Sequence, residues 1–194
     1  MSIQAAVSTL PEGYRLKTRL DLMRNRKHLK WMLWLSFAAL LVCILGGWLL
    51  VTSPIALAQG GFWLLIIRSV ALVLGIIVYA AAHEAVHGIL MWLFSRKKPR
   101  FGFKIAYAYA SSDAYFAKWP YLCIALAPLL IWGVVFARLC TRVPDSWFWV
   151  VWGWQMTNLS GAAGDLYVVF RILPLRASLL IRDSGAAMML YDRP

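Results

Sequence analysis

Long apolar runs dominate this sequence, and several of them are long enough to cross a lipid bilayer as helices. Residues 31–51 carry no charge, and residues 62–94 are apolar apart from Arg68 and a short polar group at 83–87. A helix needs about 20 apolar residues to cross the hydrocarbon core. Charged residues make up only 14% of the 194 residues and the mean hydropathy is +0.68, whereas a soluble domain carries about 25% charged residues. We therefore expect an integral membrane protein.

The runs predict an all-α membrane fold with about four transmembrane helices. The predicted spans are residues 31–51, 69–94, 121–139 and 147–173. The second run is too long for one perpendicular crossing at about 1.5 Å per residue, so we expect a tilted span, with Arg68 extending to the outer membrane surface. The four spans define a membrane domain over residues 31–173, which lies between an N-terminal segment (1–30) and a C-terminal tail (174–194).

Basic residues predict the orientation of these spans. Of the 20 lysines and arginines, seven precede residue 31, six lie between Arg96 and Lys118, and four follow from Arg171 onward. Because positive charge concentrates on the cytoplasmic side, both termini and the 96–120 loop are expected to be cytoplasmic, in a multi-pass protein of the cell (plasma) membrane. The net charge of +12 is assigned to this topology and to contact with the lipid bilayer, not to nucleic-acid binding.

The N-terminal segment, residues 1–30, is basic and has an apolar pattern of its own. Leu16, Leu20 and Met23 recur at helical spacing among arginines and lysines. This pattern favours an amphipathic helix on the inner membrane surface. A partly ordered basic tail is the alternative.

The 96–120 loop has a different, alternating pattern. Its apolar residues occupy every second position, at Phe101, Phe103, Ile105, Tyr107 and Tyr109. Strict alternation is typical of a strand, so one interpretation is a short β-hairpin that offers an edge to an extended substrate. The other is an amphipathic interfacial loop with its tyrosines at headgroup level.

A polar pentapeptide lies inside the second span. In His83-Glu84-Ala85-Val86-His87 the two imidazoles are one helical turn apart on one face, where both can bind one metal ion. Glu84 lies beside them and is the candidate general base. Ionisable groups in a transmembrane segment are costly, which points to a function. We predict that His83 and His87 bind zinc, and the alternatives are a polar helix-packing cluster or an inactive site.

Asp165 is the candidate third ligand, because a catalytic zinc site has three protein ligands and one open position. Besides Glu84, Asp165 is the only acidic residue in the predicted spans. His87 lies about 13 Å along its helix from the cytoplasmic Arg96, and Asp165 lies about 9 Å from Arg171. Both are therefore expected in the inner leaflet. The alternative for Asp165 is a carboxylate that hydrogen-bonds another span.

Asn158 shares a helical face with Asp165 and is the candidate that steadies the oxyanion or the substrate backbone. Bridging two helices is the alternative role for Asn158. The small residues 161–164 are expected to face the small residues 80–82 and Gly88, and so to let two spans approach closely.

These motifs resemble those of site-2 protease-like intramembrane zinc metalloproteases, which carry His-Glu-x-x-His on one span and Asn…Asp on a later one, with Ala127-Pro128 between them here. The sequence is more similar to a small family of membrane zincin peptidases, through Asn158-x-x-Gly161-x-x-Gly164-Asp165 and the tail Pro174-Leu175-Arg176…Arg182-Asp183. The resemblance covers roughly residues 65–190. It implies that His83, His87 and Asp165 are zinc ligands and that Glu84 is the base. The sequence lacks the Leu-Asp-Gly of the site-2 pattern, a departure that concerns substrate range more than metal binding.

The leading hypothesis is an intramembrane zinc endopeptidase that hydrolyses membrane-anchored proteins or peptides near the cytoplasmic face. Zinc is the expected cofactor, although ligand types alone leave cobalt and manganese open. A non-enzymatic membrane protein, or an inactive relative with a structural cluster, is the alternative. A metal or solute carrier is disfavoured, because the sequence shows no internal repeat of the kind many transporters carry.

Overall fold

The computed structural model describes residues 5–21, 25–50, 54–104, 107–185 and 187–193. The helices are α1 (Arg26–Leu50), a 3-10 helix (Pro54–Ala58), α2 (Phe62–Ser95), α3 (Lys118–Cys140), α4 (Asp145–Gly161) and α5 (Ala163–Ile172). The strands are β1 (Ala6–Val7), β2 (Arg15–Asp21), β3 (Arg100–Lys104), β4 (Tyr107–Ser111), β5 (Tyr115–Ala117), β6 (Leu180–Asp183) and β7 (Ala187–Asp192). Met23, Val51 and Ile105, which the predicted amphipathic helix, first span and hairpin include, lie outside the described residues.

Among the described residues, three helices are long and apolar enough to cross a membrane, namely α1, α2 and α3. These three match the first three predicted spans. The predicted fourth span, residues 147–173, is not one helix, because α4 ends at Gly161 and α5 begins at Ala163. The Ala162 backbone, at φ −73° and ψ 7°, departs from α-helical geometry. The break falls among Asn, Ser and Gly, which have lower helix propensity than Ala or Leu. The prediction of a continuous fourth span is therefore wrong.

The chain is mostly helical but not all-α. Five strands form an antiparallel sheet in the order β1-β5-β6-β7-β2. The predicted amphipathic helix is wrong over residues 15–21, which form β2 and pair with β7. The four-residue spacing of Leu16 and Leu20 fits a period of two as well as a helical turn. In the strand, a register shift between Leu16 and Thr18 interrupts that period, and Leu16 is exposed whereas Leu20 is buried. The partner strand β7, distant in sequence, decides between these two periods.

Of the two interpretations of the 96–120 loop, the short β-hairpin is confirmed. β3 and β4 pair antiparallel as a separate two-stranded sheet, with Phe101 opposite Ala110 and Gly102 opposite Tyr109. Gly88 of α2 accommodates the hairpin, because a Cβ added to Gly88 would lie 2.3 Å from the Phe101 ring. The small size of Gly88 therefore makes room for β3, and not for another span as predicted.

The chain divides into two compact units. The first comprises Met1–Trp31, His83–Pro128 and Gly164–Pro194, and the second comprises Met32–Ala82 and Leu129–Ala163. The core of the first unit joins residues of strands, helices and the α5–β6 connection that are at most 1% exposed: Phe116, Ile124, Val168, Ile172, Leu179 and Ile181. The core of the second unit centres on Tyr79, Phe136 and Val151.

Arg68 is buried in the second unit, with 4% of its surface exposed. Its guanidinium donates to the carbonyl oxygens of Leu57 (2.7 Å) and Gln59 (2.6 Å), at the end of the 3-10 helix. The prediction that Arg68 extends to the membrane surface is therefore wrong. Unpaired carbonyl groups at a helix end need donors, and Arg68 supplies them inside the protein.

We expect Gly75→Ala to destabilise the second unit, because the Trp154 indole lies directly over this glycine of α2. An added Cβ would lie 2.2 Å from Trp154 Nε1, which donates to the Leu72 carbonyl oxygen at 3.1 Å. Overpacking of this kind costs about 1–3 kcal/mol. Thermal unfolding in detergent should therefore show a lower melting temperature for the variant than for the wild type.

Gly161→Ala is the matched control, since a Cβ added there would meet nothing within 4 Å. Replacing a helical glycine by alanine in open space is neutral or stabilises by about 0.5–1 kcal/mol. Equal melting temperatures for the two variants would show that Trp154 can move aside without cost. The open space at Gly161 also means that its small size does not serve close packing, contrary to the prediction.

Candidate metal centre

The second half of α2 presents His83 and His87 on one face, as the pentapeptide predicts. The two rings have centroids 4.9 Å apart and planes inclined by 75°. Each residue is only 8% exposed. Apart from Glu84, the neighbouring residues of this part of α2 are small or apolar, so the helix buries two imidazoles in a largely apolar segment.

Asp165 lies in the first turn of α5 and faces both imidazoles. Its Oδ2 is 3.2 Å from His83 Nε2, and its Oδ1 is 3.5 Å from His87 Nε2. One ligand atom from each of the three residues lies within 4.8 Å of the other two. The structure therefore brings together the three residues that the sequence predicts as metal ligands.

The spacing of these atoms fits a zinc ion. Zinc binds imidazole nitrogen and carboxylate oxygen at about 2.0–2.2 Å, so two ligands of a tetrahedral site are about 3.3–3.5 Å apart. The separations between Asp165 and the histidines, 3.2 Å from Oδ2 and 3.5 Å from Oδ1, are close to this value. Two imidazoles and one carboxylate also make up a common catalytic zinc set. The donor set and its spacing are both suited to zinc.

A backbone carbonyl group fixes the tautomer of His87. Nδ1 of His87 lies 2.9 Å from the carbonyl oxygen of Ile124, in α3. A carbonyl oxygen only accepts hydrogen bonds, so Nδ1 must carry the proton and donate it. In the neutral ring Nε2 then carries the lone pair, and Nε2 lies 3.5 Å from Asp165 Oδ1. Sequence analysis missed this contact because it joins a side chain to a backbone group that is distant in sequence.

Glu84 is half-buried beside the two histidines. The backbone N–H of Ala110, in β4, is within reach of its carboxylate, and both imidazoles lie nearby. The hairpin therefore lies beside Glu84. The sequence offered the hairpin as one of two interpretations of the loop and predicted the candidate base, but not their proximity.

The comparison with protein families agrees with this geometry. The family described as "Putative zincin peptidase" matches residues 76–179, which is more than half of the chain and includes all four residues described above. The chain belongs to this zincin peptidase family. Zinc is the cofactor that the family implies. Searches of curated proteins and of solved structures give no match. The match confirms the resemblance to zincin peptidases, and the likeness to site-2 proteases stays a prediction.

The first unit also contains a buried Tyr121–Asp183 pair that sequence analysis did not assign. The Tyr121 hydroxyl donates to Asp183 Oδ2 at 2.7 Å, and the N–H of Gly185 donates to Oδ1 at 2.8 Å. Burial raises the pKa of the Asp183 carboxyl, although both hydrogen bonds act in the opposite direction. The pair ties β6 to α3, the helix that carries Ile124.

Asn158 belongs to the second unit of this zincin and is fully buried. Its Oδ1 accepts from the Tyr79 hydroxyl at 2.9 Å, and its Nδ2 donates to the Leu129 carbonyl oxygen at 3.1 Å. These bonds connect α2, α3 and α4, as the helix-bridging alternative predicts. A role for Asn158 toward substrate stays a prediction.

Proposed function

We propose that this zincin is an intramembrane metalloendopeptidase of the site-2 protease-like type, which cuts membrane-anchored proteins near the cytoplasmic face. The observation that supports it most strongly is the convergence of His83, His87 and Asp165 beside Glu84. Two of these residues and Glu84 lie on α2, a helix apolar enough to cross a membrane. We propose a multi-pass topology in the cell membrane with both termini cytoplasmic, because positive charge flanks the apolar runs on one side.

In this proposal His83, His87 and Asp165 hold the zinc ion. When bound, zinc supplies Lewis-acid activation of water and of the scissile carbonyl group. The protein contributes a fixed ligand geometry, because the Ile124 carbonyl group holds the His87 ring. Such outer-shell contacts orient metal ligands and raise their basicity.

Glu84 is the proposed general base. Its carboxylate takes a proton from the attacking water and delivers it to the departing amine as the peptide C–N bond breaks. The Ala110 N–H, in β4, is within reach of this carboxylate as a hydrogen-bond donor. The hairpin thus supplies a donor beside the proposed base.

The outer edge of β4 is the proposed site for an extended substrate. At Ala110 this edge meets Glu84, and at Ser112 its N–H donates to the Asp183 carbonyl oxygen at 3.1 Å. Backbone groups of residues two apart point to the same side of a strand, so those of Ala108 face the same edge. A peptide paired there as an added strand would be unwound and would run toward Glu84.

The proposal is tested by metal content and by loss of an uncut substrate. Purified wild-type protein should contain about one zinc ion per chain by mass spectrometry. Membrane proteomics should find a single-span protein that accumulates uncut in cells lacking the chain and is cut again when the chain is restored. Metal-free protein, or the absence of any such accumulating protein, would overturn the proposal.

A further inference from the structure

We propose that Pro128 is a positioning residue for the metal centre, because it leaves the Ile124 carbonyl oxygen available to His87. This inference rests on the proposed function, in which His87 is a zinc ligand. It assigns a chemical role to a proline in the interior of an apolar helix.

Pro128 interrupts the hydrogen-bond pattern of α3. This helix runs from Lys118 to Cys140 with Pro128 inside it. In an α-helix the N–H of residue i donates to the carbonyl oxygen of residue i−4. Proline has no N–H, so the carbonyl oxygen of Ile124 loses its partner within the helix. Without a replacement, a buried carbonyl group left unpaired would cost free energy.

His87 supplies the hydrogen-bond donor that the Ile124 carbonyl oxygen lacks within the helix. His87 Nδ1 lies 2.9 Å from this same oxygen. Ile124 and Pro128 are each less than 2% exposed and His87 is 8% exposed, so the bond is made away from water. The one carbonyl group that the proline frees is thus the one that holds the ring of a predicted ligand.

The bond between His87 and the Ile124 carbonyl oxygen acts on the candidate metal centre through the orientation of the His87 ring. The bond keeps the proton on Nδ1 and aims the Nε2 lone pair at Asp165, 3.5 Å away. An N–H at position 128 would compete for the Ile124 oxygen and weaken its hold on the ring. Because outer-shell partners of metal-binding histidines contribute about 10–100-fold to affinity, Pro128→Ala should weaken zinc binding by about 10-fold. The lower end of this range of about 10–100-fold is expected, because a carbonyl oxygen can accept two hydrogen bonds and could still accept one from His87.

Stability should move in the opposite direction to affinity. A proline inside a helix is unfavourable compared with alanine, so the zinc-free Pro128→Ala protein should melt at the same temperature as the wild type or higher. If Pro128 serves only the shape of α3, the reverse pattern is expected. Pro128→Ala should then be less stable than the wild type, with unchanged zinc affinity in its folded fraction.

Pro120→Ala is the matched control. Pro120 lies in the first turn of the same helix, where an N–H has no intrahelical acceptor. The same chemical change is therefore made in α3 without competition for any carbonyl group. Zinc affinity of this variant should equal that of the wild type.

A rescue variant separates the hydrogen bond from the shape of the proline ring. The α-hydroxy analogue of alanine, incorporated at position 128, forms an ester linkage and again lacks the N–H. Zinc dissociation constants are measured in detergent by competition with a chelator, and ¹⁵N shifts of the His87 ring report its tautomer in the zinc-free protein. We expect weaker binding and a mixed tautomer for Pro128→Ala, and wild-type values for the ester variant.

Two results would overturn the inference while leaving the proposed function intact: wild-type affinity in Pro128→Ala, or failure of the ester to restore affinity. A wild-type protein that binds no zinc would overturn both. A lower melting temperature for zinc-free Pro128→Ala than for the wild type, with unchanged zinc affinity in the folded fraction, would assign Pro128 to the shape of α3 instead.

Discussion

Glu84→Gln should leave zinc bound and lower the rate of peptide cleavage by about 10²–10⁴-fold, the usual contribution of a general base. Glutamine has nearly the same shape as glutamate and its side-chain oxygen can still accept from the Ala110 N–H. It cannot take a proton from water. The measurements are zinc content of the purified variant and accumulation of the uncut single-span protein in cells that carry it.

Glu12→Gln is the control for Glu84→Gln, because Glu12 is the only other glutamate in the chain and is exposed. It should cleave at the wild-type rate. If Glu84→Gln also cleaves at that rate with zinc bound, Glu84 is not the base. If Glu84→Gln loses zinc, the residue acts on metal binding, and the alternative of a structural cluster gains support.

The residues of the candidate metal centre were predictable because local chemistry and a topological constraint pointed to the same set. The spacing of His83 and His87 follows from one helical turn, and Asp165 was the only other acidic residue in the apolar runs. Charge distribution then placed all three at one depth. The family match covers these residues, and the structure brings their donor atoms together.

The errors arise where a partner distant in sequence decides the local structure. Leu16 and Leu20 fit either a strand or a helix, and only pairing with β7 selects the strand. Arg68 was expected at the membrane surface, but the carbonyl groups of Leu57 and Gln59 hold it inside.

The fourth predicted span failed for a different reason, which concerns helix continuity. Mean hydropathy does not register the change at Gly161, where residues of low helix propensity end α4. The break is also what allows α5 to begin at Ala163 and to place Asp165 in its first turn. The same glycine-containing stretch that carried the family resemblance therefore sets the position of the third candidate ligand.

Asp165→Asn should weaken zinc binding by more than the about 10–100-fold that outer-shell changes cost, because it removes a charged ligand from a set of three. The asparagine retains the size of the side chain but not its negative charge, and its oxygen is a much poorer zinc ligand. Asp145→Asn is the matched control, since Asp145 also lies in the first turn of a helix and is exposed. Both substitutions remove the same favourable interaction with a helix N-terminus, so a difference in zinc dissociation constant reports ligation alone.

Cleavage should fall with zinc occupancy in Asp165→Asn and return when excess zinc is added. This response distinguishes it from Glu84→Gln, whose lost activity no zinc concentration should restore. Equal zinc affinity in the two aspartate variants would mean that Asp165 is not a ligand, and the proposed metal centre would then lack its third side chain.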